Sequence, residues 1–171
     1  MANLRTEQYA GSQSSYLTNL PSYISGYVDG EGCFTVSIAP RPTLRVGWEV
    51  RPSWSVSQNG DRSEVLLAIQ DYFGCGTIRP DRSDKTVKWE ARSLRLLLER
   101  VIPHFIQYPL LSGKRNDFEL FASSCEAMAS GRHLEPRGLS EIVRWADAMN
   151  PSGKRRYAPE RILRSLTEMK A

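Results

Sequence analysis

The chain has 171 residues, 40% hydrophobic and 25% charged, enough apolar material for one folded domain and too much for intrinsic disorder. No apolar run approaches the roughly 20 residues of a bilayer span, so no membrane partner is expected. With 23 basic and 19 acidic residues the net charge is +4, a balance that permits a polyanionic partner without requiring one.

Residues 1–20 are rich in Ser, Gln and Thr, lack the apolar core of a secretory signal, and read as a polar N-terminal arm. Glu7 and the scarcity of arginine argue against an organellar transit peptide. The folded domain is expected over 21–171. Pro21 and Ser22 signal a helix start, with Ser22 as the N-cap, and the helix stops at Gly32. A strand over Cys33–Arg41 then ends in a Pro-rich turn. A second strand, from about Leu44 to Ser57, sets Val46, Trp48, Val50, Trp54 and Val56 against Arg45, Gly47, Glu49, Arg51, Ser53 and Ser55 on the other parity. Pro52 within it predicts a bulge or an edge position.

Asn59-Gly60 reads as a turn, and Asp61 with Glu64 as a capping box for a helix striped by Val65, Leu66, Ile69, Tyr72 and Phe73. Gly74 and Gly76 end it. A second strand pair, Gly76–Asp81 and Thr86–Arg92, is joined by Arg82-Ser83-Asp84. In its second strand Val87, Trp89 and Ala91 alternate with Lys88, Glu90 and Arg92. Ser93 caps a helix with Leu94, Leu97, Leu98 and Val101 on one face. A loop over 104–113 leads to a helix carrying Phe118, Phe121, Cys125 and Met128. Two shorter helices are predicted near 140–149 and 159–169, the second opened by Pro159, with a basic loop from Pro151 to Arg156 between them. Strand pairs joined by short turns predict an α+β fold: an antiparallel sheet with helices on one face and a polar surface on the other. No internal repeat is seen.

Three cysteines (Cys33, Cys75, Cys125) without a C-x-x-C pair speak against a disulfide framework and a zinc knuckle. They suggest a reducing, intracellular compartment. Two isolated histidines, His104 and His133, disfavour imidazole-based zinc chemistry and a Ser-His-Asp triad. The informative stretch is Ile24 to Gly32, ISGYVDGEG. Glycine costs about 1 kcal/mol relative to alanine inside a helix, so Gly26 and Gly30, four apart on one face, need a reason. They leave a smooth surface where a second backbone can come close. Asp29 and Glu31 sit at the helix C-terminus, where partial negative charge makes a carboxylate unfavourable by roughly 0.3–1 kcal/mol. A bound hard cation would reverse that sign, because it takes carboxylate and backbone carbonyl oxygens.

These nine residues resemble the signature of the LAGLIDADG homing endonucleases position by position, with Ile for Leu, Ser for Ala, Tyr for Leu or Phe, Val for Ile and Glu for the second Asp. The αββαββα order, Ser57-Gln58 followed by Arg62, and the late PSGKRR loop resemble the single-motif, homodimeric, group I intron-encoded branch over roughly residues 21–170. The resemblance implies a four-stranded DNA-binding sheet, helix-to-helix dimerisation through Gly26 and Gly30, and Mg²⁺ (with Mn²⁺ or Ca²⁺ able to substitute for binding) held by Glu31 and the Gly32 carbonyl. Asp29 is expected to orient backbone at the helix base. The catalytic set implied is Glu31, Gln58, Arg62 and Lys114, with Arg115 as a rival to Lys114. One motif per chain implies that a double-strand break in a long pseudo-palindromic site needs a homodimer. The alternatives are a non-cleaving protein on the same fold, either a repressor or a maturase binding intron RNA, and a nuclease core built from Asp81, Glu90 and Arg92 that lacks the usual lysine.

Cys33–Arg41 at ~3.3 Å per residue spans about 30 Å, or roughly eight to nine base pairs, and two sheets about a dyad would address about twenty in double-stranded DNA. Outward parity names Thr35, Ser37, Arg41, Arg45, Glu49, Arg51, Ser53, Ser55, Arg79, Asp81 and Lys88 as base or phosphate contacts. Arg suits guanine and Glu accepts from cytosine. Lys154, Arg155 and Arg156 are expected to clamp phosphates, and Trp48, Trp54 and Trp89 to be core. The ordinary alternative for all of these is a solvated sheet face and loop.

Overall fold

A computed structural model of the chain describes residues 19–81, 85–151, 153 and 155–169. The first eighteen residues of the N-terminal arm, the turn at 82–84, and Lys154 lie outside the described residues. Helix α1 spans Leu20–Glu31, strand β1 Gly32–Pro40, β2 Trp48–Asn59, α2 Glu64–Phe73, β3 Thr77–Pro80 and β4 Thr86–Ala91. The helical half follows: α3 Leu94–Leu96, a π-helical turn Leu97–Val101, α4 Ile102–Gln107, α5 Lys114–Ala129, α6 Pro136–Ala148 and α7 Pro159–Glu168. The predicted αββαββα order and helical tail are what the chain adopts. Among the described residues no helix is long and apolar enough to cross a membrane.

The sheet is antiparallel in the order β1-β2-β4-β3, with Phe34 opposite Trp54, Trp54 opposite Ala91 and Ile78 opposite Trp89. One residue parity therefore packs under the helices; Trp54, Trp89 and Phe34 from the sheet and Phe105 and Phe121 from the helices are among the largest fully buried side chains. Trp54 meets Trp89 edge-on at 4.6 Å and Phe34 lies tilted 5.3 Å from Phe121, while Phe34 and Trp54 stack across the strand pair at 6.0 Å. Pro52 pairs with Val36 in β1, while β4 joins β2 only from Trp54 onward. At Pro52, therefore, β2 has a neighbour on one side only, the edge position expected.

Several boundaries differ from the sequence expectation. β2 starts at Trp48, because residues 41–47 form a turn closed by Arg41 N–H to Gly47 O at 2.8 Å and by Gly47 in the left-handed region at φ +71°. The expected capping box at Asp61 and Glu64 is a 3₁₀ turn, Gly60–Arg62, and α2 begins at Glu64. Ser22 lies inside the first turn of α1, and Asn19 holds the cap position. The loop expected from residue 104 starts only after Gln107. Pro103 would clash with the carbonyl four residues back in a regular helix, and the π turn just before it widens the ladder so that the helix continues. α6 begins at Pro136, four residues earlier than the apolar pattern suggested, since proline is well suited to a first turn.

Behind α1 sits a buried polar cluster. Ser25 Oγ donates to Tyr108 O at 2.7 Å and accepts from His104 Nε2 at 3.2 Å, while Tyr72 O–H lies 3.0 Å from His104 Nδ1. Because the one Ser25 proton is directed at Tyr108, the network assigns the ring proton to Nε2. Burial pushes the imidazole down to about 4, so it is neutral at pH 7.

Candidate functional site

The foot of α1 joins the motif to three other elements. Gly32 caps the helix, its N–H bonded to Val28 O, and then enters β1 in extended conformation. A Cβ at Gly32 would stand 2.8 Å from that carbonyl, so the last motif residue must be glycine for the chain to turn directly from helix to strand.

The two acids part company there. Asp29 accepts from Leu111 N–H at 2.8 Å, Ser112 N–H at 3.2 Å and Ser112 O–H at 2.7 Å, fastening the 108–113 loop to α1. Burial disfavours its charge, but the Leu111 and Ser112 hydrogen bonds and the Lys114 ammonium outweigh that and hold the carboxyl below the usual carboxylate range. Glu31 is exposed, and among the described residues no donor reaches its carboxylate.

Ser112 Oγ in turn accepts from Lys114 N–H at 3.1 Å, and Lys114 Nζ donates to Gly32 O at 2.5 Å. A cation therefore rests on the C-terminal carbonyls of α1, where the helix dipole favours one. Arg115 turns outward and pairs with Glu119 at 3.0 Å, so of the two rivals only Lys114 reaches the foot. Gln58 Nε2 donates to Tyr27 O–H at 2.6 Å, and its Oε1 accepts from Asn59 N–H at 2.8 Å, which places the end of β2 against α1. Burial raises the Tyr27 phenol, the Gln58 bond lowers it, and the Glu31 charge raises it again. Arg62 is exposed on the 3₁₀ turn, without a hydrogen bond or ion pair among the described residues.

Gly26 and Gly30 lie exposed on one face of α1, with nothing within 4 Å of where a Cβ would stand. Beside them Tyr23 is 55% exposed and stacks on Tyr27 at 6.1 Å. Packing among the described residues does not call for glycine at either position.

Register places Thr35, Ser37, Glu49, Arg51, Ser53, Arg79 and Lys88 on the face away from the helices, with Arg41 and Asp81 at strand ends. Thr35 and Ser53 hydroxyls meet at 2.9 Å across the β1–β2 pair. Three predicted contacts need correction. Ser55 shares the parity but is only 3% exposed, a short side chain between Cys33 and Glu90 on the neighbouring strands. Arg45 lies on the 41–47 turn, not on β2, and pairs with Glu135 at 2.6 Å. Arg155 donates to Asp147 O at 3.2 Å and to Met149 O, closing the end of α6 instead of projecting as a clamp. Arg156 is exposed, its guanidinium 5.6 Å from the Tyr157 ring. The same register adds residues not named from sequence as DNA contacts: Ser57, Asn59, Thr77, Thr86 and Glu90, the last paired with Arg92. Parity alone would have found them.

A sequence model described as LAGLIDADG endonuclease matches residues 24–125, which include the motif, the whole sheet and the lysine at the foot. The chain belongs to this family. A probable intron-encoded endonuclease of Neurospora crassa is 32% identical over 131 residues, 76% of this chain and 29% of that protein. The chain spans less than a third of the length of the first curated relatives it matches. Among solved structures, the homing endonuclease I-TnaI is 33% identical, with a TM-score of 0.75 over 87% of this chain and 97% of its own. The archaeal intron-encoded homing endonuclease I-Vdi141I, complexed with DNA, is 25% identical, with a TM-score of 0.80 over 88% of this chain and 96% of its own.

Proposed function

We propose that the chain is a site-specific homing DNA endonuclease that works as a homodimer and cuts both strands of a long pseudo-palindromic site by Mg²⁺-dependent phosphodiester hydrolysis. The observation that carries this reading is the asymmetry at the foot of α1: Glu31 is unpartnered among the described residues, beside a Gly32 carbonyl that already attracts an ammonium group. Family membership supports DNA cleavage in general, and the DNA complex of I-Vdi141I supports duplex DNA as the partner.

The residues fit a shared metal. No cluster of three or more His, Cys, Asp or Glu ligands occurs among the described residues, so one chain offers Glu31 and the Gly32 carbonyl as a partial set. Mg²⁺ characteristically takes one or two carboxylates and completes its shell with waters and substrate phosphate oxygens. Two α1 helices packed through Gly26 and Gly30 would bring two such feet together at a dyad. When bound there, the metal supplies Lewis-acid polarisation of the scissile phosphate and a more acidic water.

The protein groups have separate tasks in this reading. Lys114 Nζ, which the fold brings to the foot of α1, would turn from Gly32 O to the phosphate oxygens when that carbonyl holds the metal and stabilise the negative charge developing there. Gln58, fixed by Tyr27 on one side and Asn59 N–H on the other, orients the attacking water. Arg62, unpaired among the described residues, is available to the phosphate flanking the cut. The polar sheet face reads the major groove, and Arg156 meets the backbone. The setting is a DNA-containing, reducing compartment, either bacterial cytoplasm or an organelle.

The test is Glu31→Gln, which keeps size and hydrogen-bonding shape while removing the charge. Cleavage of the cognate site should fall by about 10³-fold or more with duplex binding retained. Cleavage at the wild-type rate would refute the assignment of Glu31, and with it this mechanism.

A further inference from the structure

The sheet face carries two ion-paired triads of the same composition. On β2, Glu49 accepts from Arg41 at 2.5 Å and from Arg51 at 2.5 Å. On β4, Glu90 accepts from Arg79 at 2.9 Å and from Arg92 at 3.0 Å. Each is an Arg–Glu–Arg unit with its guanidinium groups outward: Arg92 is 65% exposed, whereas Glu90 is 7% exposed. Glu90 lies opposite Ser55, six positions along β2 from Glu49. At ~3.3 Å per residue the triads stand about 20 Å apart, near six base-pair steps. The Glu90 unit is close to the foot of α1, since Ser55 pairs with Cys33; the Glu49 unit is at the far end, opposite Ala39.

Exposed Arg–carboxylate pairs contribute little to folding stability. Glu141 gathers Arg132 and Arg137 in the same way on the helical half, so what sets these two units apart is their place on the polar face of the sheet. An arginine has five donors in a rigid fork, and engaging one or two of them on a carboxylate leaves the remainder aimed in a fixed direction. The carboxylate also offsets half the charge of each unit, which weakens attraction to any phosphate without weakening recognition of a guanine edge. Arg51 first, with Arg41, holds the Glu49 carboxyl below its usual range, so the unit persists ionised at neutral pH.

We propose that Glu49 and Glu90 are specificity-setting positioning residues, each holding two arginines as a preassembled reader of one segment of the half-site, the Glu90 unit nearer the dyad and the Glu49 unit farther out. This rests on the DNA-reading function proposed above. Glu90 is too buried to accept from a base itself and acts through Arg79 and Arg92. Arg92 becomes a base-reading residue alongside those named from strand parity.

The experiment is selection of bound duplexes from a randomised pool by the full chain and by Glu90→Gln, Glu49→Gln and Arg92→Ala, followed by affinity measurement for each single-base change. The wild-type chain should select a defined sequence. Glu90→Gln should lose about tenfold or more discrimination at positions near the dyad, and Glu49→Gln the same about six base pairs farther out. Both should bind random DNA about threefold more tightly at equal salt, because a negative charge has been removed. Arg92→Ala should lose the positions that Glu90→Gln loses. Glutamine variants that keep the wild-type preference at every position, or that weaken uniformly at all of them, would overturn the proposal while leaving the DNA-reading function intact. A wild-type chain that selects no sequence would overturn both.

Discussion

On one face of α1, Ile24, Ser25 and Val28 are buried, and Ser25 is hydrogen-bonded to Tyr108 and His104. On the other, Gly26 and Gly30 look out on open space and Tyr23 is largely exposed. The contrast continues at the foot, where Asp29 has its carboxylate occupied by Leu111 and Ser112 and Glu31, two residues on, has no partner among the described residues. Packing within one chain thus accounts for Ser25, Val28, Asp29 and Gly32. It leaves Gly26, Gly30 and Glu31 without a cause. Helix glycines and a carboxylate at the negative end of a dipole are both unfavourable, and no described residue of the chain compensates them. A second copy and a cation are the two partners that chemistry suggests.

The largest effect that separates the faces should come from Gly30→Leu. The space is open, and leucine is better than glycine in a helix by up to about 1 kcal/mol, so the single chain should fold with equal or higher stability. Close approach of a second α1 would be blocked. Sedimentation should then report monomer where the proposed function requires a wild-type dimer, and affinity for a full two-fold site should fall by about 10²-fold or more as bivalent engagement is lost. A Gly30→Leu chain that sediments as a dimer and cuts both strands would show that the glycine face is not where two copies meet.

Much of this architecture is legible from local sequence. The alternation of Trp48, Val50, Trp54 and Val56 carries β2, and that of Val87, Trp89 and Ala91 carries β4, because a strand with one wet face repeats every two residues. The nine-residue motif identifies the helix foot. What local pattern does not convey is long-range pairing. The bond from Lys114 to Gly32 joins residues far apart in sequence, and nothing near Lys114 distinguishes it from Arg115 until the 108–113 loop is fixed to Asp29. Arg155 reads as a phosphate clamp from charge alone, but the α6 carbonyls it closes are visible only in three dimensions. Ser55 has the right parity, yet its shortness between longer neighbours buries it. The helix through Pro103 was likewise illegible, since the π turn that permits it has no simple signature.

The buried face of α1 should show itself through pH. His104 is neutral in the folded chain with its pKa lowered to about 4 by burial, whereas an unfolded histidine titrates near 6.5. Between those values the unfolded state binds the extra proton, so stability rises with pH. It should be complete above about 6.5, fall as pH drops toward about 4 by on the order of 3 kcal/mol, and change no further from this group below that. Asp29, whose pKa is depressed, contributes stability present above the ordinary carboxylate range and lost only at lower pH, so its window lies below that of the histidine. Denaturant midpoints measured from pH 8 to pH 4 (~1 unit apart) should decline for the wild-type chain and flatten for His104→Gln. An equally steep decline in the variant would assign the effect to another group.

Ser25→Ala is the smallest of these changes and the sharpest for the contrast, because it alters the hidden side of the helix and nothing on the open one. It removes the donor to Tyr108 O and the acceptor of His104 Nε2–H, leaving two buried polar groups without their partner at a loss of about 1–3 kcal/mol. Tyr72 still reaches Nδ1, so the ring remains placed from its other side. Midpoints of unfolding should therefore shift down while the sedimentation state, and cleavage measured well below the melting temperature, stay at wild-type values. A Ser25→Ala chain that loses dimerisation at full stability would mean that the polar cluster governs the opposite face, and that the two sides of α1 are not independent.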